Sequence, residues 1–430
     1  MKWHLGRRKT INVYLREERT MQETPKGLRT HIGIYGRRNV GKSSLLNALT
    51  GQAVSIVSPT PGTTTDPVEK TMELLPVGPV VFLDTAGVDD VGALGEQRRD
   101  RTYRVADRTD VALLVTDGLW GSFEQQLATL FQERHIPFCV ICSKEDRTAP
   151  PPALTEEMRR AGLELVSVSC VTGEGLSAVR EALARLTADA DAACPKLLGD
   201  VVPAGALVLL VVPIDTGAPK GRLILPQVQA IRDLLDAHCL CVVVTEAEVE
   251  AALGRISPAP DLVVCDSQVV KRVAALTPES VPLTTFSILM ARFKGDLTTL
   301  AAGAAAMLQL RPGDHVLMGE ACSHHPFKDD IGRVKLPRWL KDFAGGELQV
   351  DMAAGKEFNA NIEPYKLIIH CGGCMITRRH MLRRVQAAAE RQVPITNYGV
   401  AISLTQGVLE RTLRPFPEAL AAFHAAARGM

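Results

Sequence analysis

The sequence predicts an α/β protein of three parallel-sheet units, a nucleotide-binding one followed by two smaller ones. Three observations carry that expectation. Short Val/Ile/Leu-rich runs bounded by turn residues alternate with longer helical patterns, the signature of βαβ units with both sheet faces covered. A glycine-rich phosphate-binding string stands between the first such run and the first helical pattern. An Ala/Asp stretch, 188–193, followed by Pro195, Gly199, Pro203 and Gly205, separates the first series from the second as a linker.

Composition bounds the rest. The chain has 430 residues, 46% hydrophobic and 23% charged, which are ordinary globular values and disfavour disordered, collagen-like and coiled-coil architectures. Lys and Arg number 49 against 48 Asp and Glu, a formal charge of +1, so no bulk attraction to nucleic acid or anionic membrane is expected. The longest apolar run, 205–214, is about half the roughly 20 residues a membrane span needs. Residues 1–26 form a basic N-terminal extension (Lys2, Arg7, Arg8, Lys9, Arg16, Arg19) without the apolar stretch of a secretory signal. Ten cysteines without such a signal point to a reducing, cytoplasmic compartment, where thiols serve as core filler, metal ligands or nucleophiles.

The first unit, 27–190, has strands expected near 32–35, 80–83, 111–116, 138–142 and 165–169. The second, 196–295, has strands near 207–212, 240–245, 262–265 and 283–286, with helices over 227–237 and 269–276. An alanine-rich helical pattern over 289–310 leads into the third unit, 296–430, with strands near 315–319, 366–369 and 394–396.

After the first strand comes Gly36-Arg37-Arg38-Asn39-Val40-Gly41-Lys42-Ser43-Ser44, a complete Walker A sequence opening a helix near Lys42. Its glycines let backbone N–H groups turn inward around phosphate oxygens, and the helix N-terminus adds its dipole. Lys42 would reach the β- and γ-phosphates and the Ser43 hydroxyl would ligate Mg2+. The motifs that follow resemble the GTPase branch of P-loop proteins. Asp84-Thr-Ala-Gly87 closes a strand, where Asp84 would hold Mg2+ through water and the Gly87 amide would sense the γ-phosphate. Ser143-Lys144-Glu-Asp146 ends another, so that Asp146 would accept from guanine N1–H and its exocyclic amine, Lys144 would lie against the base, and Ser169-Cys170 would offer a backbone amide to O6. Together these define the fold class: a P-loop GTPase domain followed by two smaller parallel-sheet α/β domains.

Two departures stand out. Ser143 replaces the usual Asn of the guanine motif and is expected to lose a brace or base contact, about 1 kcal/mol. Val88 follows Gly87 where a water-orienting Gln would stand, so intrinsic hydrolysis is expected to be slow. Asn39 and the Thr-rich run with Thr63 and Thr64 (Thr64 also a Mg2+ ligand) resemble the K+-activated GTPases of the translation and tRNA-modification group, the alternative being a loop-bracing Asn and solvated threonines. Arg98, Arg99 and Arg101 fit a solvated helix face better than a catalytic finger.

Near the C-terminus, Cys322-Ser-His324-His325 follows one expected strand and His370-Cys371-Gly-Gly-Cys374 ends another. Strand ends on one edge of a parallel sheet converge, and soft thiolates favour zinc or iron-sulfur. Three cysteines with histidines fit a Cys3His zinc site, a 4Fe-4S cluster with one iron open, or thiols that hold no metal. Cys139 and Cys142 read as core residues, because positions i and i+3 of a strand face opposite ways.

The whole chain from about residue 25 to 425 resembles the FeFe-hydrogenase maturation GTPases of the HydF family, whose CxH…HCxxC pattern appears here as Cys322-Ser-His324 and His370-Cys371-Gly-Gly-Cys374. The stretches 213–227 and 322–337 share the likeness. The resemblance implies a GTPase domain (27–190), a dimerisation domain (196–295) and a cluster domain (296–430), assembled as a homodimer. It implies a 4Fe-4S cluster on Cys322, Cys371 and Cys374, with His324, His370 or Asp329 as fourth ligand. It also implies a carrier that takes a diiron precursor from two radical-SAM maturases, HydE and HydG, and delivers it to the FeFe-hydrogenase apoprotein. The alternative is a tRNA- or ribosome-associated GTPase with a structural zinc site, against which stands the absence of a basic, aromatic-interleaved C-terminal surface.

Overall fold

A computed structural model of the chain describes residues 24–51, 68–85, 102–192, 194–214, 223–321, 330–355 and 361–429. Three sheets succeed one another along it. The first has six strands, β1 (Thr30–Tyr35), β2 (Val68–Leu74), β3 (Gly78–Asp84), β4 (Val111–Thr116), β5 (Phe138–Ser143) and β6 (Leu165–Val168), in the order β2-β3-β1-β4-β5-β6. All pairings are parallel except that of the edge strand β2 with β3. Every residue of β4 and β5 is buried, as a sheet covered on both faces requires. Alternate residues feed two apolar layers: Ile34, Leu113, Cys139 and Ile141 pack on one face, and Tyr35, Leu114, Val140 and Cys142 on the other. Cys139 and Cys142 therefore lie on opposite faces, as their spacing demands.

The second sheet contains β7 (Leu207–Val211), β8 (Leu240–Val244), β9 (Leu262–Cys265) and β10 (Leu283–Thr285) in the order β10-β9-β7-β8, all parallel. The third contains β11 (His315–Glu320), β12 (Gln349–Ala354), β13 (Leu367–His370) and β14 (Ile395–Asn397) in the order β12-β11-β13-β14, again all parallel. These two units share one apolar core that runs unbroken from Leu197 to Phe423. The change of unit near residue 295 is thus a change of sheet and not a gap in packing.

The structure differs from the sequence reading in four elements. Residues 188–192, expected as linker, are the last turns of the helix Leu176–Ala192, because alanine propagates a helix already begun. The pattern over 289–310 is two helices, Phe286–Lys294 and Leu297–Ala304, with a 3-10 turn over Ala305–Gln309. Asp296 interrupts it: its side chain accepts the Thr298 N–H at 3.0 Å and caps the second helix. The other two differences are the edge strands β2 and β12, which were not expected.

Candidate functional site

The C-terminal ends of β1, β3, β5 and β6 lie on one edge of the first sheet and bring the nucleotide motifs together. Gly36 leaves β1 with φ 142°, and a Cβ there would stand 2.2 Å from the Val115 carbonyl of β4, so the loop passes only as glycine. Asn39 (φ 63°) and Gly41 (φ 101°) are also left-handed and curve the loop into the helix Lys42–Thr50. Lys42 is buried, its Nζ donating to the carbonyls of Gly36 (2.7 Å) and Arg37 (2.6 Å) from inside the loop. Ser43 and Ser44 are exposed on the first turn, and Arg38 and Asn39 on the rim, while Val40 points into the core.

Arg37 is held away from the loop. Its guanidinium makes two hydrogen bonds to Glu124 (2.7 and 2.8 Å) and lies 5.6 Å from the Phe123 ring centroid. Glu124 is 1% exposed and also accepts the Gly121 N–H, capping the helix Ser122–Glu133. Neither Glu124 nor this clamp was foreseen: the two partners are 87 residues apart and no spacing rule links them.

At the base end, Ser143 is buried, and its hydroxyl reaches the Val40 carbonyl at 2.5 Å and the Thr116 carbonyl at 3.2 Å. The brace from guanine motif to phosphate loop, expected to be lost with the Asn, is therefore made by serine. Lys144, itself left-handed at φ 63°, pairs with Asp117 at 3.0 Å. Asp146 accepts from the Ser169 hydroxyl at 2.8 Å, and Ser169 in turn accepts the N–H groups of Val171 and Thr172. Cys170 adjoins them, its thiol pushed up by burial and then by Asp146. Asp84 ends β3 with its backbone opposite Ile34. Thr63, Thr64, Gly87, Val88 and the arginines 98, 99 and 101 lie outside the described residues.

The cysteine motif falls on the corresponding edge of the third sheet. Cys371 and Cys374 flank the turn after β13, free of any disulfide and partly exposed. The Cys371 N–H donates to the Gly319 carbonyl at 2.8 Å, and the Ala321 N–H donates to the Cys371 sulfur at 3.2 Å. Backbone amides aimed at sulfur are what a thiolate metal ligand uses. Cys322, next in sequence to Ala321, lies outside the described residues with His324 and Asp329. Among the described residues no group of three or more His, Cys, Asp or Glu side chains gathers at one point. His370 is fully buried: its Nδ1 is 2.7 Å from the Cys371 carbonyl and its Nε2 is 2.8 Å from Arg384. Burial, then the Arg384 charge, lowers its pKa to about 3 and keeps the ring neutral. Arg384 itself is lowered by burial to about 10 and stays charged at neutral pH.

The cysteine turn meets the first unit at the start of β1, on the edge of that sheet opposite the nucleotide motifs. A Cβ on Gly27 would stand 2.5 Å from the Cys374 carbonyl, so the backbone ahead of β1 lies directly on the cysteine turn. The buried Lys294 donates to the Gly27 carbonyl, its pKa lowered to about 8 by burial against the opposing pull of Asp110 and Cys374. Arg379 donates to the carbonyls of Arg134 and His135, each at 3.0 Å.

A mostly parallel sheet whose strand ends carry a glycine-rich loop with a buried lysine, and the Asp84-Thr-Ala-Gly87 and Ser143-Lys144-Glu-Asp146 strings, defines a P-loop GTPase. Residues 31–144 match the model of the 50S ribosome-binding GTPase family. Residues 197–295 match the hydrogen maturase F dimerization domain and 298–415 the hydrogen maturase F tetramerization domain. The chain belongs to the hydrogen maturase F family. Among curated relatives, the tRNA modification GTPase MnmE of Nitrosomonas europaea is 36% identical over 154 residues, 35% of this chain and 33% of its own length. GTPase Der of Wolinella succinogenes is 33% identical over 187 residues, 40% of this chain and 39% of its own length. The chain thus spans well under half the length of either relative. The alternative of a tRNA- or ribosome-associated GTPase is not favoured, since 197–295 and 298–415 match hydrogen maturase F models. No helix among the described residues is long and apolar enough to cross a membrane.

Proposed function

We propose that this chain is a GTP-hydrolysing scaffold and carrier of FeFe-hydrogenase maturation, working in the cytoplasm. Residues 27–190 bind GTP, with Mg2+ on Ser43, Thr64 and, through water, Asp84, and with K+ beside Asn39. Residues 196–295 form the dimer, and 296–430 hold a 4Fe-4S cluster on Cys322, Cys371 and Cys374. The cargo is a diiron precursor received from the radical-SAM maturases HydE and HydG and passed to the hydrogenase apoprotein.

The observation that carries this reading is the cysteine turn. Two cysteines, Cys371 and Cys374, follow β13, and the Ala321 amide on the Cys371 sulfur brings the residue before Cys322 to the same place, in a chain of the hydrogen maturase F family. The donor set is soft and partly exposed, which suits a cluster that must meet a cargo. When bound, such a cluster supplies an iron with an exchangeable position. The candidates for that position are His324, Asp329 and His370, and the His370 ring already serves Arg384 and the Cys371 carbonyl. The dimer reading is supported by β8, which among the described strands pairs only with β7 and leaves Leu240 63% and Val243 44% exposed.

The test is anaerobic reconstitution of the full chain with iron and sulfide. Reduction should give the EPR signal of a 4Fe-4S cluster, lost in Cys322→Ser, Cys371→Ser and Cys374→Ser, and the chain loaded by the maturases should activate hydrogenase apoprotein. Zinc without iron in protein isolated anaerobically from its host would overturn the reading.

A further inference from the structure

We propose that Arg384 is the positioning residue of the cysteine turn: it holds His370 in a single tautomer and through that ring fixes the Cys371–Gly372 peptide. The inference rests on the reading of Cys371 and Cys374 as cluster ligands only for its spectroscopic consequence. Its geometry stands on the protein alone.

Arg384 lies on the helix Arg378–Glu390 and is 2% exposed, among the largest side chains the fold buries completely. It reaches the ends of three parallel strands. One terminal nitrogen donates to His370 Nε2 at 2.8 Å and approaches the Glu320 carbonyl at 3.4 Å, and the other donates to the Gly355 carbonyl at 2.6 Å. Glu320 ends β11, Gly355 follows β12 and His370 ends β13. One rigid fork therefore ties together the edge from which the cysteine turn departs.

The tautomer follows from donor chemistry. A guanidinium can only donate, so His370 Nε2 must accept, and in a neutral imidazole the proton then sits on Nδ1. That proton is donated to the Cys371 carbonyl at 2.7 Å. Carbonyl and following N–H point opposite ways across a trans peptide, so with the Cys371 carbonyl turned onto the ring the Gly372 N–H points away from it. Meanwhile the Ala321 N–H holds the Cys371 sulfur from the β11 side. Side chain, carbonyl and succeeding amide of Cys371 are thus all oriented, two of them through Arg384. His370 on this account is a relay, and its Nε2 is committed to Arg384 instead of iron.

Nitrogen-15 NMR of the metal-free full chain labelled at histidine measures the tautomer directly. The Nδ1–H form of His370 is expected in the native chain, retained in Arg384→Lys, which keeps a donor to Nε2, and lost to a tautomer mixture in Arg384→Met. In reconstituted protein, Arg384→Met should shift the g-values of the reduced cluster. His370→Asn, whose amide can still donate to the Cys371 carbonyl, should stay closer to native than His370→Ala. An Nε2–H tautomer in the native chain, or unchanged g-values in both Arg384→Met and His370→Ala, would overturn the proposal. If Arg384→Met does not fold, the native tautomer decides. If no cluster assembles in the native chain, the carrier reading fails and the tautomer result still stands on its own.

Discussion

Ser143 turns an expected weakness into a brace. Its hydroxyl spans from the end of β5 to the Val40 carbonyl of the phosphate loop, so Ser143→Ala leaves a buried acceptor without its donor. A loss of about 1 kcal/mol is expected, a several-fold weaker GTP dissociation constant by calorimetry. Asp146 owes its direction to Ser169, and Asp146→Asn should weaken GTP binding while relaxing the preference over ATP, because an amide no longer offers two acceptors to guanine's donors. Asn39 stands exposed on the loop rim, where its carbonyl oxygen is available to a cation. Hydrolysis should run faster in K+ than in Na+ at equal ionic strength, and Asn39→Ala should erase the difference. The residues of the Walker string were legible because the chemistry needs them at fixed spacing. The Arg37–Glu124 clamp and the Arg384–His370 pair were not, because each joins partners brought together only by the sheet.

At the scale of elements, periodicity located every strand but two, β2 and β12, each at one edge of its sheet. In β12 the residues alternate between exposed and partly buried, and Gln, Asp and Ala dilute the β-rich signal that marked β4 and β5. β2 carries Glu69, Lys70 and Glu73 for the same reason: an edge strand faces water on its open side. The alanine-rich segment failed differently. Helix propensity is high on both sides of Gly295-Asp296, and summing it across the pair hides a cap that the side-chain hydrogen bond makes decisive. Asp296→Ala should lower stability by about 1 kcal/mol, read as a lower denaturation midpoint of the unit containing residues 197–423 with little change in GTP binding.

At the scale of the whole molecule, the seam between the GTPase unit and the cysteine turn is where pH should act. His31, at the start of β1, and His380, on the helix that carries Arg384, both have their pKa lowered by burial first, His380 to about 3. His380 feels Arg384, Arg108, His370 and His31, all of which oppose its protonation. His31 lies between Asp110 and Glu69, which favour its charge, and Arg108, which opposes it. Above about pH 6.5 these rings are neutral whether the chain is folded or not, and stability does not depend on them. Below that value the unfolded chain takes up protons that the folded chain refuses, so acid favours unfolding, by about 1.4 kcal/mol per pH unit for His380. The thermal transition of the metal-free protein should therefore fall between pH 7 and 5, and His380→Gln should flatten that fall. Because Gly27 lies on the Cys374 carbonyl and Arg379 crosses to Arg134 and His135, the first event on acidification should be parting of this seam, seen as cleavage by added protease just after the helix Leu176–Ala192 before either unit melts. Equal melting temperatures at pH 7 and pH 5 would show that the two histidines are not held neutral at a packed seam.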